Sequence, residues 1–118
     1  MNNNPYQEKV ESGLLLAIKE EDILVAPESK VDIHIGIINR SANEDYVDIL
    51  IKGIPPDWTT IDTPVVHLAG GEAKQIILTV QPPALLQSRV GQYPLDVRAV
   101  SQSDPKHSAV AHSSLTVA

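Results

Sequence analysis

The sequence predicts an all-β fold, an immunoglobulin-like β-sandwich of about seven to eight antiparallel strands in two sheets, and three observations carry that expectation. Apolar and polar residues alternate along several segments, the period of a strand with one buried face. The apolar residues suit a pleated surface: Val, Ile and Leu dominate, with one Trp, three Tyr and no Phe. Nine Pro and six Gly break the chain about once every eight residues, the turn spacing of a sandwich and too frequent for long helices.

Residues 1–12 are polar, mixed in charge and without period, and read as a flexible N-terminal tail before a sandwich domain spanning 13–118. Two short apolar runs, 14–18 and 23–25, flank the charged turn Lys19-Glu20-Glu21-Asp22 and end at Pro27, as a first strand broken into two parts would. Residues 30–39 carry the clearest alternation, with Val31, Ile33, Ile35 and Ile37 on one side and Asp32, His34 and Gly36 on the other. After a turn at 40–45, Val47, Ile49 and Ile51 alternate in a second long strand.

Pro55 and Pro56 stop that strand, since each removes a backbone donor and fixes φ. Trp58 follows at an edge or corner. Val65, Val66 and Leu68 precede a turn at 69–72, after which Ile76, Leu78 and Val80 alternate up to Pro82-Pro83. Residues 87–92 read as a loop. Beyond it Tyr93, Leu95, Val97 and Ala99 face one way and Pro94, Asp96, Arg98 and Val100 the other, and a loop at 101–107 leads to a last strand through Leu115 and Val117. Two sheets with such faces bury them against each other about 10 Å apart.

Composition narrows the function classes. With no Cys, there is no disulfide, thiolate metal site or cysteine nucleophile. The formal net charge is −6, and residues 1–59 hold 11 acids and 5 bases against 4 and 4 in the rest. An acidic domain with no basic stripe is a poor nucleic-acid binder, so no nucleic-acid partner is expected. No apolar run reaches the roughly 18–20 residues needed to span a bilayer, so this segment is not expected to insert in a membrane. A cytoplasmic location follows if Met1 is the native start, and the cell surface or a secreted state if the segment is cut from a longer protein.

No catalytic, cofactor or metal site is expected. His34, His67, His107 and His112 are spaced 33, 40 and 5 apart, which matches no zinc-binding pattern. Ser101-Gln102-Ser103-Asp104 and Ser113-Ser114 lack the glycine turn that exposes a serine nucleophile. The acids Glu44, Asp45 and Asp48, and Asp57 with Asp62, offer oxygens of the kind calcium takes, but no calcium-loop motif surrounds them. They read as solubilising charges that also keep strand edges unpaired.

Two features point to binding. Parity sets Ile38, Leu50, Ile77 and Val100 on outward faces; if Tyr46, Leu50 and Val100 share one sheet with Arg98, they form an apolar docking face with a cation beside it. Trp58 has two readings, a plug at one end of the sandwich or a stacking platform for a sugar ring, with Tyr46 as a second stacking candidate. Tyr93, at a strand start after Gly91, suits a tyrosine corner.

Val25-Ala26-Pro27 before a strand ending in Asn39, Gly53-Ile54-Pro55-Pro56-Asp57-Trp58, Gly71-Glu72 leading to Val80-Gln81-Pro82-Pro83, and Gly91-Gln92-Tyr93-Pro94-Leu95-Asp96-Val97 together resemble the bacterial NEW3-type domain, also described as alpha-galactosidase-associated. The sequence departs from that pattern at Glu28, where a turn Gly usually follows the proline, and at Gly70, where a Pro often precedes Gly-Glu. The resemblance implies an immunoglobulin-like accessory module that sits beside catalytic or membrane-anchored parts and brings no catalytic residues of its own. The function expected is a non-catalytic accessory or protein-interaction module of a larger bacterial protein, contacting a protein partner or neighbouring domains. The alternative is a carbohydrate-binding accessory domain of a glycosidase.

Overall fold

The computed structural model describes residues 13–84 and 90–118. The expected tail at 1–12 and part of the loop expected at 87–92 lie outside the described residues. The chain forms β1 (Leu14–Ile18), β2 (Asp22–Val25), β3 (Val31–Asn39), β4 (Asp45–Lys52), a single 3₁₀ turn at Pro56–Trp58, then β5 (Thr59–Ile61), β6 (Val65–Leu68), β7 (Ala73–Val80), β8 (Gly91–Ser101) and β9 (Ser108–Val117). One sheet has the order β1-β3-β7-β5 and the other β2-β9-β8-β4-β6. The two-sheet sandwich is the one the alternation predicts.

The core is where that alternation places it. Ile33, Ile35 and Ile37 of β3 and Leu78 and Val80 of β7 are fully buried from one sheet, against Val47, Val66, Leu68, Leu95, Val97 and Leu115 from the other. Each such side chain contributes roughly 1.5–3 kcal/mol on burial, most of it offset by chain ordering.

The described strands number nine, and one pairing is parallel. β1 pairs antiparallel with β3, whereas β2 crosses to the opposite sheet and runs parallel to β9, Ile23 beside Leu115 and Val25 beside Val117. The broken first strand is therefore a switch between sheets. β5, three residues long at the sheet edge against β7, is too short to show a period. β8 already begins at Gly91, within the span expected to be loop, and Val65 is exposed while Val66 and Leu68 face the core.

The crossing at 19–21 is fastened to both sheets. Lys19 N–H donates to the His34 carbonyl at 2.9 Å. The return bond goes elsewhere: His34 N–H donates to Glu20 Oε1 at 2.8 Å, so the carboxylate completes the β3 edge where β1 turns away. On the other sheet Ser113 Oγ donates to the carbonyls of Glu20 and Glu21 at 2.9 and 2.5 Å.

At one pole of the sandwich Asn39, 1% exposed, joins two hairpins. Its Nδ2 donates to the carbonyls of Asn43 at 2.8 Å and Ala69 at 3.1 Å, and its Oδ1 accepts from Ser41 N–H at 3.0 Å and Ser41 Oγ at 2.8 Å. The turn at 69–72 lies so close beneath 41–43 that a Cβ on Gly70 would sit 2.4 Å from the Ala42 carbonyl oxygen.

At the other pole Gly53 has φ +94, and a Cβ there would lie 1.7 Å from the Pro94 carbonyl oxygen, so only glycine lets β4 pass β8. Ile54 then enters the core, Pro56 opens the 3₁₀ turn where its missing N–H is no loss, and Trp58 is brought down on Tyr93.

Candidate functional site

The outward surface of the five-stranded sheet gathers Tyr46, Leu50, Arg98 and Val100, the residues of the expected docking face, whereas Ile38 and Ile77 lie on β3 and β7 of the other sheet. In the β4–β8–β9 register Leu50 lies opposite Arg98, and Arg98 opposite Val110. One step along, Asp48 lies opposite Val100 and Val65, and beyond it Tyr46 stands beside His67, ring centroids 4.7 Å apart. Tyr46, Leu50, Val65 and Val110 are between 41% and 51% exposed, and Val100 is half-buried among them.

Arg98 makes no hydrogen bond or ion pair with any described residue. An unpaired guanidinium thus stands between two exposed aliphatic side chains. Val65 and Val110 belong to this face and escape a reading by parity along single strands, because only the cross-strand register puts them beside Asp48 and Arg98.

Trp58 combines parts of both its readings. It is half-buried, packed against the core and edge-on to Tyr93 at 5.1 Å and 65°, which makes it a plug. It also lines an open recess of about 560 Å³ together with Glu28, Asp57, Thr60, Gln81 and Pro82. Gln81 joins the two walls of this recess: its backbone N–H donates to the Trp58 carbonyl at 2.8 Å, and its side-chain amide donates to the Glu28 carbonyl at 3.0 Å.

Glu28 occupies the left-handed region, φ +69, at the third position of the turn 26–29, which closes with Ser29 N–H on the Ala26 carbonyl at 3.0 Å. That is the geometry of a type II turn, which favours Gly at this place. The departure from the resembled pattern is therefore a strained glutamate held by its neighbours.

The histidines each lie beside a carboxylate. His34 Nδ1 is 2.7 Å from Glu20, His67 Nε2 2.9 Å from Glu44, His112 Nδ1 2.5 Å from Asp96 and His107 Nε2 3.7 Å from Asp104. An ionised carboxylate only accepts, so the close pairs place a proton on the facing ring nitrogen. Burial would raise the Glu20 carboxyl, but hydrogen bonds from the His34 backbone N–H and ring outweigh it and hold the group below its ordinary 4.5.

Of the acids weighed as calcium ligands, Glu44 faces His67 and three more are spent on protein donors, while the Asp57 carboxylate meets no described donor. Asp45 accepts from its neighbour Tyr46 N–H and from Ser101 Oγ, Asp48 from the Gln102 amide, and Asp62 from Ile77 N–H. Among the described residues no three His, Asp or Glu converge on a point that could hold a metal ion. Ser101, 1% exposed, receives Asp104 N–H and caps the β8–β9 hairpin, while Ser113 is the fastening of the sheet crossing. No described helix is long and apolar enough to cross a membrane.

No family model and no curated protein sequence matches the chain. Solved structures do. Over 89% of its length it superposes on 27% of a family 123 glycoside hydrolase chain from Clostridium perfringens, TM-score 0.72 and 8% identity. A FixG-related protein from Vibrio parahaemolyticus matches with TM-score 0.64 and 9% identity, covering 89% of this chain and 94% of that one. The ASH/PapD-like domain 7 of human CEP192 matches with TM-score 0.57 and 11% identity, over 90% and 84%. At such identities the likeness is one of architecture, and with the two-sheet topology it identifies the fold: the chain is an immunoglobulin-like β-sandwich.

Proposed function

We propose that the domain is a non-catalytic accessory module that docks on a protein partner or a neighbouring domain through the outer face of its five-stranded sheet. The observation that carries this reading is Arg98, unpaired, between Leu50 and Val110 on a face where Tyr46, Val65 and Val100 are also accessible. Covering the aliphatic groups removes apolar area from water, and a carboxylate brought to Arg98 orients the partner by a charge-assisted hydrogen bond. That combination of apolar patch and arginine is typical of interface centres.

Two further points support an accessory role. The glycoside hydrolase that shares the fold carries it as 27% of its chain, one part of a larger protein. The NEW3-type resemblance has the same sense, and of the serines weighed as nucleophiles Ser101 caps the β8–β9 hairpin and Ser113 fastens the sheet crossing.

The test is a photo-crosslinking residue placed at Leu50 in the source cells, with Gln75 on the opposite sheet as control. A discrete adduct from position 50 and none from 75 supports the reading, and equal or absent crosslinking from both removes it.

A further inference from the structure

The recess beside Trp58 is built by residues that fold stability alone does not account for. A glutamate in the left-handed region costs roughly 1–2 kcal/mol relative to the right-handed one, a cost that glycine at 28 would avoid. Its backbone is held by Pro82, whose carbonyl accepts Glu28 N–H at 2.9 Å, and by the Gln81 amide. Its carboxylate makes no bond with any described residue, and neither does that of Asp57. Two carboxylates without a partner among the described residues therefore stand around a partly accessible indole, and no described Lys or Arg lines the recess.

We infer that this recess receives a guanidinium group, the side chain of an arginine on a partner protein segment. The indole attracts a cation over its face, and a guanidinium adds planar donors that carboxylates accept in fork geometry. A neutral sugar fits less well. It would stack on Trp58 but cover Glu28 and Asp57 without supplying the opposite charge that offsets their desolvation. The excess of acids over bases also draws cations toward the surface. This site is separate from the Arg98 face and does not depend on it.

The chain has one Trp, so its emission reports on the recess directly. The probe is acetyl-Gly-Arg-Gly-amide, with the citrulline peptide as its neutral isostere and methyl β-galactoside as the sugar. The Arg peptide should shift Trp58 emission saturably and bind at least about fivefold tighter than the citrulline peptide. Glu28→Gly, which suits the turn, and Asp57→Asn should each weaken it at least about threefold while a cooperative thermal melt is retained. Equal response to the citrulline peptide, a response to the galactoside alone, or no response to the Arg peptide overturns the inference, as does unchanged affinity in both variants.

Discussion

The carboxylate of Glu20 takes the place in the edge of β3 that the departing β1 leaves open, accepting the backbone N–H of His34 at 2.8 Å while its second oxygen meets the imidazole. A single side chain thus lets the chain change sheets without leaving a strand donor unpaired, and that arrangement has a pH signature.

Because the Glu20 carboxyl is held below 4.5 in the folded state, its contribution is present above that value and is lost as pH falls through the folded one. Glu20→Ala should cost about 1 kcal/mol at neutral pH, kept small by partial exposure. Urea unfolding of both proteins at pH 7 and near pH 3 checks it: the gap between them should narrow in acid, and a constant gap contradicts the assignment.

Asn39 should be the most sensitive polar position. Asn39→Ala strips a buried amide that donates to and accepts from two hairpins at once, at a cost of about 2–3 kcal/mol. Asn39→Asp should be nearly as harmful, since a carboxylate cannot donate to the Asn43 and Ala69 carbonyls. Denaturant midpoints of the two variants provide the measurement.

Glu28 and Gly53, both of positive φ at the Trp58 pole, should respond in opposite ways. Glu28→Gly relieves strain and is expected to be neutral or stabilising by up to about 1 kcal/mol, the gain reduced by the freer unfolded chain. Gly53→Ala meets the Pro94 carbonyl and should destabilise by about 3 kcal/mol or more. Thermal unfolding of the pair separates backbone conformation from close approach.

On the outer face, Leu50→Asp should change stability by no more than about 0.5 kcal/mol, because the side chain is exposed, and should abolish docking. Ile35→Ala, in the core, should cost about 2–5 kcal/mol. Equilibrium unfolding together with the crosslinking yield from position 110 distinguishes a surface that binds from one that merely holds the fold.

Strand parity made much of this legible. The alternation of Ile33, Ile35 and Ile37 fixed a core face, and the same parity put Leu50, Arg98 and Val100 outward, because a side chain's face depends only on its own strand. What depends on register was closed to such a reading. Val110 joins the Arg98 face, and His112 meets Asp96, only through the pairing of β8 with β9. The parallel β2–β9 ladder was equally hidden, since nothing within residues 22–25 says which sheet receives them. The strain at Glu28 had a trace, a glutamate where the resembled pattern has Gly, but its cause appears only in the backbone.

The switch of sheets also governs how the domain would carry tension. β1 starts at the Asn39 pole, with Leu14 opposite Asn39, whereas β9 ends at the other, with Val117 beside Val25. Pulling Gly13 and Ala118 apart drags β2 and β9 in opposite directions along their common axis, so their hydrogen bonds are loaded together in shear and cannot be peeled one by one. A module so threaded resists stretching as a rope splice does, by sharing force along its overlap.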